Sequence, residues 1–440
     1  MAFEDILSEI GEFGTYQKRL TYFFLLPVSL VIAWISMPTY FLIASPDHWC
    51  YVPKLSNLSM QMQHQLIRPI KKGNQMDKCN MYDIDYESLS LSEIQAILNE
   101  SSHNITTRKC DNGWIFDHTY YEATAVTELD LWCSRSIWVS NILTMNSIGM
   151  VIGTWIFSAL SDNFLPESPR WLLSEGRNEE LFNVLAKIAI VNGKKIPINL
   201  RAKVKELIRA HQESGIAKAT TLEFLRKGRL RTNFLLVLLA IVAEDSGYYG
   251  LTLNFENLAG NPFVNFFMLS LVEIPSSLIA YWTIETKLGR RWSNTLFLTS
   301  GGILLCLPIM LPIGGSFTTV VSFIAKGVIN TALLVTYQQA AELYPTSLRN
   351  QGIGISVAVG CIVTLFLPYL SHLGRENVLI PLTSIGVICV IAGFASMFLP
   401  ETLNENLPQE VHDAQQFGKS AKFFSLAKTS SENEPKAVIV

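Results

Sequence analysis

Eight apolar runs dominate this chain, at 20–43, 136–160, 233–254, 263–284, 292–313, 318–341, 351–371 and 377–399. Each is close to the ~20 residues that an α-helix needs to cross a bilayer. Backbone in lipid must satisfy its own hydrogen bonds, so runs of this kind fold as helices, and a bundle tolerates the Pro and Gly that interrupt several of them. Of the 440 residues, 49% are hydrophobic and only 16% charged, and mean hydropathy is +0.28. That balance is too apolar for a soluble protein of this length. The expectation is an all-α polytopic membrane protein with about eight transmembrane helices. A net charge of −3 with no long basic run gives no sign of a nucleic-acid partner.

Two long polar segments set the topology. Residues 44–135 hold glycosylation sequons at Asn57, Asn99 and Asn104 and four of the seven cysteines, Cys50, Cys79, Cys110 and Cys133. Sequons and cysteines sharing one loop point to an oxidising, extracellular domain with two disulfides, whose pairing has three possibilities. The alternative, a zinc site, lacks any Cys-x-x-Cys spacing. Residues 162–232 carry fourteen lysines and arginines between Arg170 and Arg231. Lys287, Arg290 and Arg291 follow the fourth run and Arg349 the sixth, whereas the loops after the third, fifth and seventh contain only Arg375. This bias places both termini in the cytoplasm.

The N-terminus opens acidic, unlike a secretory leader. Phe3, Ile6, Leu7, Ile10 and Phe13 recur at helical spacing, which predicts a short amphipathic helix; a frayed polar tail is the alternative. The chain then divides into 1–19 (cytoplasmic N-terminus), 20–43 (span 1), 44–135 (extracellular loop), 136–160 (span 2), 161–232 (cytoplasmic loop), 233–399 (six further spans) and 400–440 (cytoplasmic tail). Residues 178–213 show helical periodicity, and 412–440 read as disordered.

Charge inside a span is costly and defaults to function. Lys326 lies mid-span, Glu244 and Asp245 in the third span and Glu273 in the fourth. A pairing of Lys326 with Asp245 or Glu273 is the expectation. Tyr248, Tyr249 and Asn254 on one helix, with Tyr337 and Gln338 on another, could line a ligand surface; Tyr faces attract ammonium groups. Packing and interfacial roles are the alternative for them. No catalytic motif of hydrolases, metalloproteases or phosphate loops occurs, and the seven histidines lack metal spacing, so neither an enzyme, a metal nor a cofactor is expected.

Several short motifs then point to a family. Ser45-Pro46-Asp47-His48-Trp49-Cys50, Cys110-Asp111-Asn112-Gly113-Trp114, Thr127-Glu128-Leu129-Asp130-Leu131-Trp132-Cys133 and Pro166-Glu167-Ser168-Pro169-Arg170-Trp171 occur in that order. Val272-Glu273-Ile274-Pro275, Lys287-Leu288-Gly289-Arg290-Arg291, Ala341-Glu342-Leu343-Tyr344-Pro345-Thr346 and Leu399-Pro400-Glu401-Thr402 follow. In this series the chain resembles the organic cation, organic anion and carnitine transporters (solute carrier family 22) of the major facilitator superfamily. The resemblance implies a plasma-membrane transporter of small organic ions, with Lys326 lining a central cavity.

It also implies a conformational latch of Asp162, Gly289, Arg290, Arg291, Glu342 and Arg349; simple anchoring of topology is the alternative for the arginines. Cys361 falls where cation carriers of the family have Asp and anion or carnitine carriers have Arg, which leaves the substrate's charge open. Family members have twelve spans. Here Ser161-Asp162-Asn163-Phe164, which resembles the turn after the second span, runs directly into the motif that follows the sixth. The expectation is a truncated major facilitator fold lacking four spans. The chain would then act either as an organic cation or zwitterion carrier, or as a non-transporting partner of full-length relatives.

Overall fold

The computed structural model describes residues 3–11, 14–71, 75–101, 105–164, 169–174, 176–213, 223–226, 228–310, 315–345, 348–375, 377–405, 408 and 411–418. Among them, seven helices are long and apolar enough to cross a membrane. They are Cys133–Gly153, Gly228–Leu253, Pro262–Ile284, Gly289–Met310, Gly315–Leu343, Gln351–Gly374 and Leu379–Ser396, and they are called spans 2 to 8 below. The first apolar run is helical as well. A π-helical stretch, Leu20–Leu25, leads into an α-helix, Leu26–Leu42, of 17 residues.

Proline shapes two of the spans. Span 4 starts at Asn261, whose side chain accepts from the amides of Phe263 and Val264, with Pro262 in the first turn. It breaks at Val272 into Pro262–Leu271 and Glu273–Ile284. The ring of Pro275 opposes the carbonyl of Leu271 and supplies no N–H, which accounts for the break. Pro368 does the same to Thr364, and span 7 divides into Arg349–Thr364 and Leu367–Gly374.

Spans 3 to 8 form one body around Ala240, Ala243, Leu298, Leu305, Ile329, Ala332, Ile385 and Cys389. Spans 5 and 8 approach backbone to backbone. A Cβ at Gly302 would lie 2.6 Å from the Gly386 carbonyl, and one at Gly393 2.7 Å from the Thr299 amide. Close packing of small residues is what holds helices together where lipid is as apolar as the side chains.

The first two spans are far barer. Only 11% of the apolar window of span 2 is buried, against 61% for span 3. Phe23 and Trp34 of span 1 are 81% and 82% exposed. Their contacts to the six-helix body are few and lie toward one end. Ser140 Oγ donates to the Pro368 carbonyl (3.0 Å), Thr144 Oγ1 to that of Leu365 (3.1 Å) and Tyr369 OH to Asn141 Oδ1 (2.9 Å). At the Pro368 break the Tyr369 amide turns to the Phe366 carbonyl, which leaves the Leu365 carbonyl open to Thr144. On span 1, Phe41 packs its ring against Phe255, Phe263 and Phe266.

The domain between spans 1 and 2 is not purely helical. Three short antiparallel ladders pair His48–Cys50 with Trp114–Phe116, Ile70–Lys71 with Gln75–Met76, and Asn80–Tyr82 with Thr107–Lys109. Trp49, Leu55, Ile67, Tyr82 and Ile94 form its core. Disulfides join Cys50 to Cys110 and Cys79 to Cys133, one of the three possible pairings. Asn57 and Asn99 are exposed, and Asn104 lies outside the described residues.

The basic domain packs Pro169–Ser174, Asn178–Val191 and Leu200–Glu213 around Leu172, Leu181, Leu185 and Val204. The helical spacing at the N-terminus corresponds to a helix, Phe3–Ile10, but this helix buries Ile6 and Ile10 in that same core. Asn192 ties it down, donating to the carbonyls of Ile10 and Gly11 and accepting from the Tyr16 amide. Residues 165–168, which include Pro166, Glu167 and Ser168, and the tail from 419 onward lie outside the described residues.

Candidate substrate groove

Lys326 is 2% exposed on span 6. Its Nζ lies 2.9 Å from Glu273 Oε1 and donates to Thr252 Oγ1, also at 2.9 Å. It sits 4.7 Å from the centre of the Tyr248 ring. Three spans therefore meet on one ammonium group. The break at Val272 makes Glu273 the first residue of a new helical segment, where a carboxylate is favoured by the helix dipole. Of the two partners expected from sequence, Glu273 is the one in contact.

Asp245 and Glu244 are adjacent yet face different neighbours, because one helical step turns a side chain by about 100°. Glu244 is fully enclosed. Thr336 Oγ1 donates to its Oε1 at 2.6 Å, and Oε2 has no partner among the described residues. Asp245 instead lies against Gly360 of span 7, where an added Cβ would collide with its Oδ2. Tyr249, one helical turn on, shares its face of span 3. No salt bridge to Asp245 forms among the described residues. Tyr249 is 44% exposed and meets Tyr248 edge to face at 5.1 Å.

Two residues grouped with this surface belong elsewhere. Asn254 is buried in a turn, where Asn257 Nδ2 donates to its Oδ1 at 2.6 Å. Gln338 is exposed and donates to Glu342 Oε1 at 2.7 Å.

Glu342 belongs to a second cluster, at the other end of span 6. Arg290 Nη2 lies 3.1 Å from Glu342 Oε1 and 3.4 Å from Glu285 Oε1. Thr402 Oγ1 donates to Glu342 Oε2 at 2.5 Å. Arg291 Nε donates to the Met397 carbonyl at 2.8 Å. Glu401, which motif reading left out of the expected latch, is the hub of this hydrogen-bonded cluster. Its carboxylate accepts from the amides of Arg290 (2.9 Å), Arg291 (3.1 Å), Thr402 (2.9 Å) and Leu403 (3.0 Å). A carboxylate is favoured there because span 5 begins with unpaired N–H groups. Gly289, at φ +66°, turns the chain beneath it. The available signal was the Pro400-Glu401-Thr402 stretch just past the last apolar run. Arg349 begins span 7, and the side chain of Asp162 lies outside the described residues.

Among the described residues, His48, Cys79 and Cys133 are the one cluster with metal-donor atoms close together. The two sulfurs are bonded to each other, which removes them as thiolate ligands.

Against known proteins, the sequence model of the sugar (and other) transporter family matches residues 147–411. The carcinine transporter of Drosophila melanogaster is 25% identical over 550 aligned positions, which take in 98% of this chain and 82% of that protein. The organic cation transporter protein of the same organism is 26% identical over 533 positions, covering 95% of each chain. Organic cation/carnitine transporter 2 of Homo sapiens is 24% identical over 528 positions, covering 93% of each.

Proposed function

This chain belongs to the sugar (and other) transporter family and, inside the major facilitator superfamily, to solute carrier family 22; from that premise we propose that its six-helix half recognises a small organic cation or a carnitine-like zwitterion. The observation that carries this is the charge balance of the groove. Lys326 and Glu273 offset each other at 2.9 Å, and Glu244 is enclosed. Asp245, 7% exposed, has no salt-bridge partner among the described residues and shares a helix face with Tyr249, one turn on. An unpaired carboxylate beside tyrosine rings favours an ammonium group. The groove then selects a cation although Cys361 supplies no charge of its own.

On this reading the protein sits in the plasma membrane with both termini cytoplasmic, the 44–135 domain outside and Asn57, Asn99 and Asn104 glycosylated. On this reading the first half has also lost four spans. Alignment with the carcinine transporter runs over 550 positions against a 440-residue chain, so at least 110 of them face no residue here. Four spans of ~20 residues with their loops account for a block of that size.

A second reading, a non-transporting partner or inhibitory subunit of full-length relatives, is favoured by the bareness of spans 1 and 2. A carrier holds its substrate between two halves, and here 11% burial leaves most of span 2 without a helical neighbour. Uptake of labelled tetraethylammonium, carnitine and p-aminohippurate by cells displaying the chain separates the two readings. Uptake of the first or second, lost in Asp245→Asn at equal surface level, supports the carrier. Surface delivery with no uptake of any of the three supports the partner role.

A further inference from the structure

Glu256 lies in the loop between spans 3 and 4, outside the membrane-crossing segments. It is set into the seam where the first two spans and the 44–135 domain meet the six-helix body. A small cavity, open to solvent on one side, runs along that seam. Tyr40 and Ile43 of span 1, Ser140 of span 2, Glu256, and His372 and Arg375 at the end of span 7 line it. The Ser45 amide, just past span 1, donates to Glu256 Oε2 at 3.4 Å. Oε1 is buried without a hydrogen-bond partner among the described residues.

We propose that Glu256 takes up a proton when this seam closes, so that the mouth on the side of the 44–135 domain is a proton-operated clasp. The geometry requires a cost to be met. A carboxylate with one oxygen shut away from water and unbonded is unfavourable while ionised. Arg375 opposes this across the cavity, but no ion pair closes between the two among the described residues. The other titratable groups facing Glu256 are His372 on span 7, Tyr40 on span 1, and Lys78 and Tyr121 from the 44–135 domain. Lys78 is itself engaged by Asp47 at 3.0 Å. Burial, against the pull of Arg375, the Ser45 amide and Lys78, pushes the Glu256 carboxyl up to about 7.

The sign follows from linkage. When the seam opens, Glu256 returns to water and to the ordinary carboxyl range, so the closed form binds the proton more tightly. Acidification from about pH 7 toward that range favours closure, by up to about tenfold per pH unit, and rising pH releases it. This requires only that the seam can open; it does not require solute movement. Its failure is therefore separable from failure of the transport reading.

The test uses the full chain in lipid discs, with spin labels at Leu129→Cys beside span 2 and Leu373→Cys on span 7, both exposed. The chain carrying only its own thiols is labelled in parallel. The separation should be constant from about pH 8 down to about 7 and shorten below that, with its midpoint between the ordinary carboxyl range and about 7. Glu256→Gln should stay short throughout. Arg375→Leu should move the midpoint to higher pH, because the cation that favours the ionised carboxyl is gone. A wild-type separation that ignores pH, or a pH response retained in Glu256→Gln, overturns the proposal. So does an unmoved midpoint in Arg375→Leu.

Discussion

Lys326 Nζ and Glu273 Oε1 stand 2.9 Å apart across the interface of spans 6 and 4, with the lysine almost wholly buried and the glutamate one-third exposed. The pair thus has a sealed end and a reachable end. Removing one member strands the other, which for a buried ion pair costs about 3–5 kcal/mol.

Lys326→Ala is expected to lower the thermal midpoint of the detergent-purified protein and to weaken ligand binding. Lys326→Met combined with Glu273→Leu, which removes both charges at similar volume, should recover most of the stability and none of the binding. Thermal unfolding and tetraethylammonium binding on the same preparations check this. Binding recovered along with stability would show the pair to be structural only.

Gly289→Ala is expected to destabilise the span 4–5 turn by about 1–3 kcal/mol, because φ is +66° and the new methyl would meet the Glu401 carboxylate. Glu401→Gln should cost less, since the amide keeps one acceptor for the amides at the start of span 5. The order of the two melting temperatures is the measurement; the reverse order would contradict the strain assigned to a side chain at Gly289.

Opening the Cys50–Cys110 bridge by Cys50→Ala with Cys110→Ala frees a 60-residue separation. Loss of about 2–5 kcal/mol is expected. Surface biotinylation should show most of the protein retained inside the cell. The single variants should be no better, because each leaves one unpaired thiol.

Asp47 supplies a pH dependence of opposite sign to that of Glu256. Burial works against its ionisation, but Lys78 and Arg68 outweigh it and hold the carboxyl down at about 2. A depressed carboxyl contributes stability that is present above its ordinary value of 3.8 and is lost as pH falls through about 2. Tryptophan fluorescence, to which Trp49, two residues from Asp47, contributes, should therefore show the 44–135 domain loosening in that acid window. Asp47→Asn should show no such step there while being less stable at neutral pH.

Much of this molecule was legible in its sequence because the signals are local. The apolar runs needed no tertiary information, since each run's length and hydropathy are its own. The charge asymmetry of the loops, the Pro275 and Pro368 positions and the acidic residues in span 3 were equally visible. What could not be read was which distant groups meet. Lys326 could have paired with Asp245 as easily as with Glu273, and the four cysteines allowed three pairings. Neighbouring Glu244 and Asp245 look alike in a string, yet packing gives one the Thr336 hydroxyl and sets the other against Gly360 of span 7.

The sequence by itself determined that this chain crosses a membrane many times, carries a cysteine-rich segment before span 2 and a basic one after it, and keeps charge inside its spans. Tertiary structure alone decided that Lys326 is neutralised by Glu273, that Glu401 caps span 5, that Glu256 is shut into a seam, and that spans 1 and 2 stand nearly bare. The division has one physical reason. Hydropathy and topology follow from the solvent each segment meets, whereas the fate of a buried charge depends on helix rotation and on partners tens of residues away.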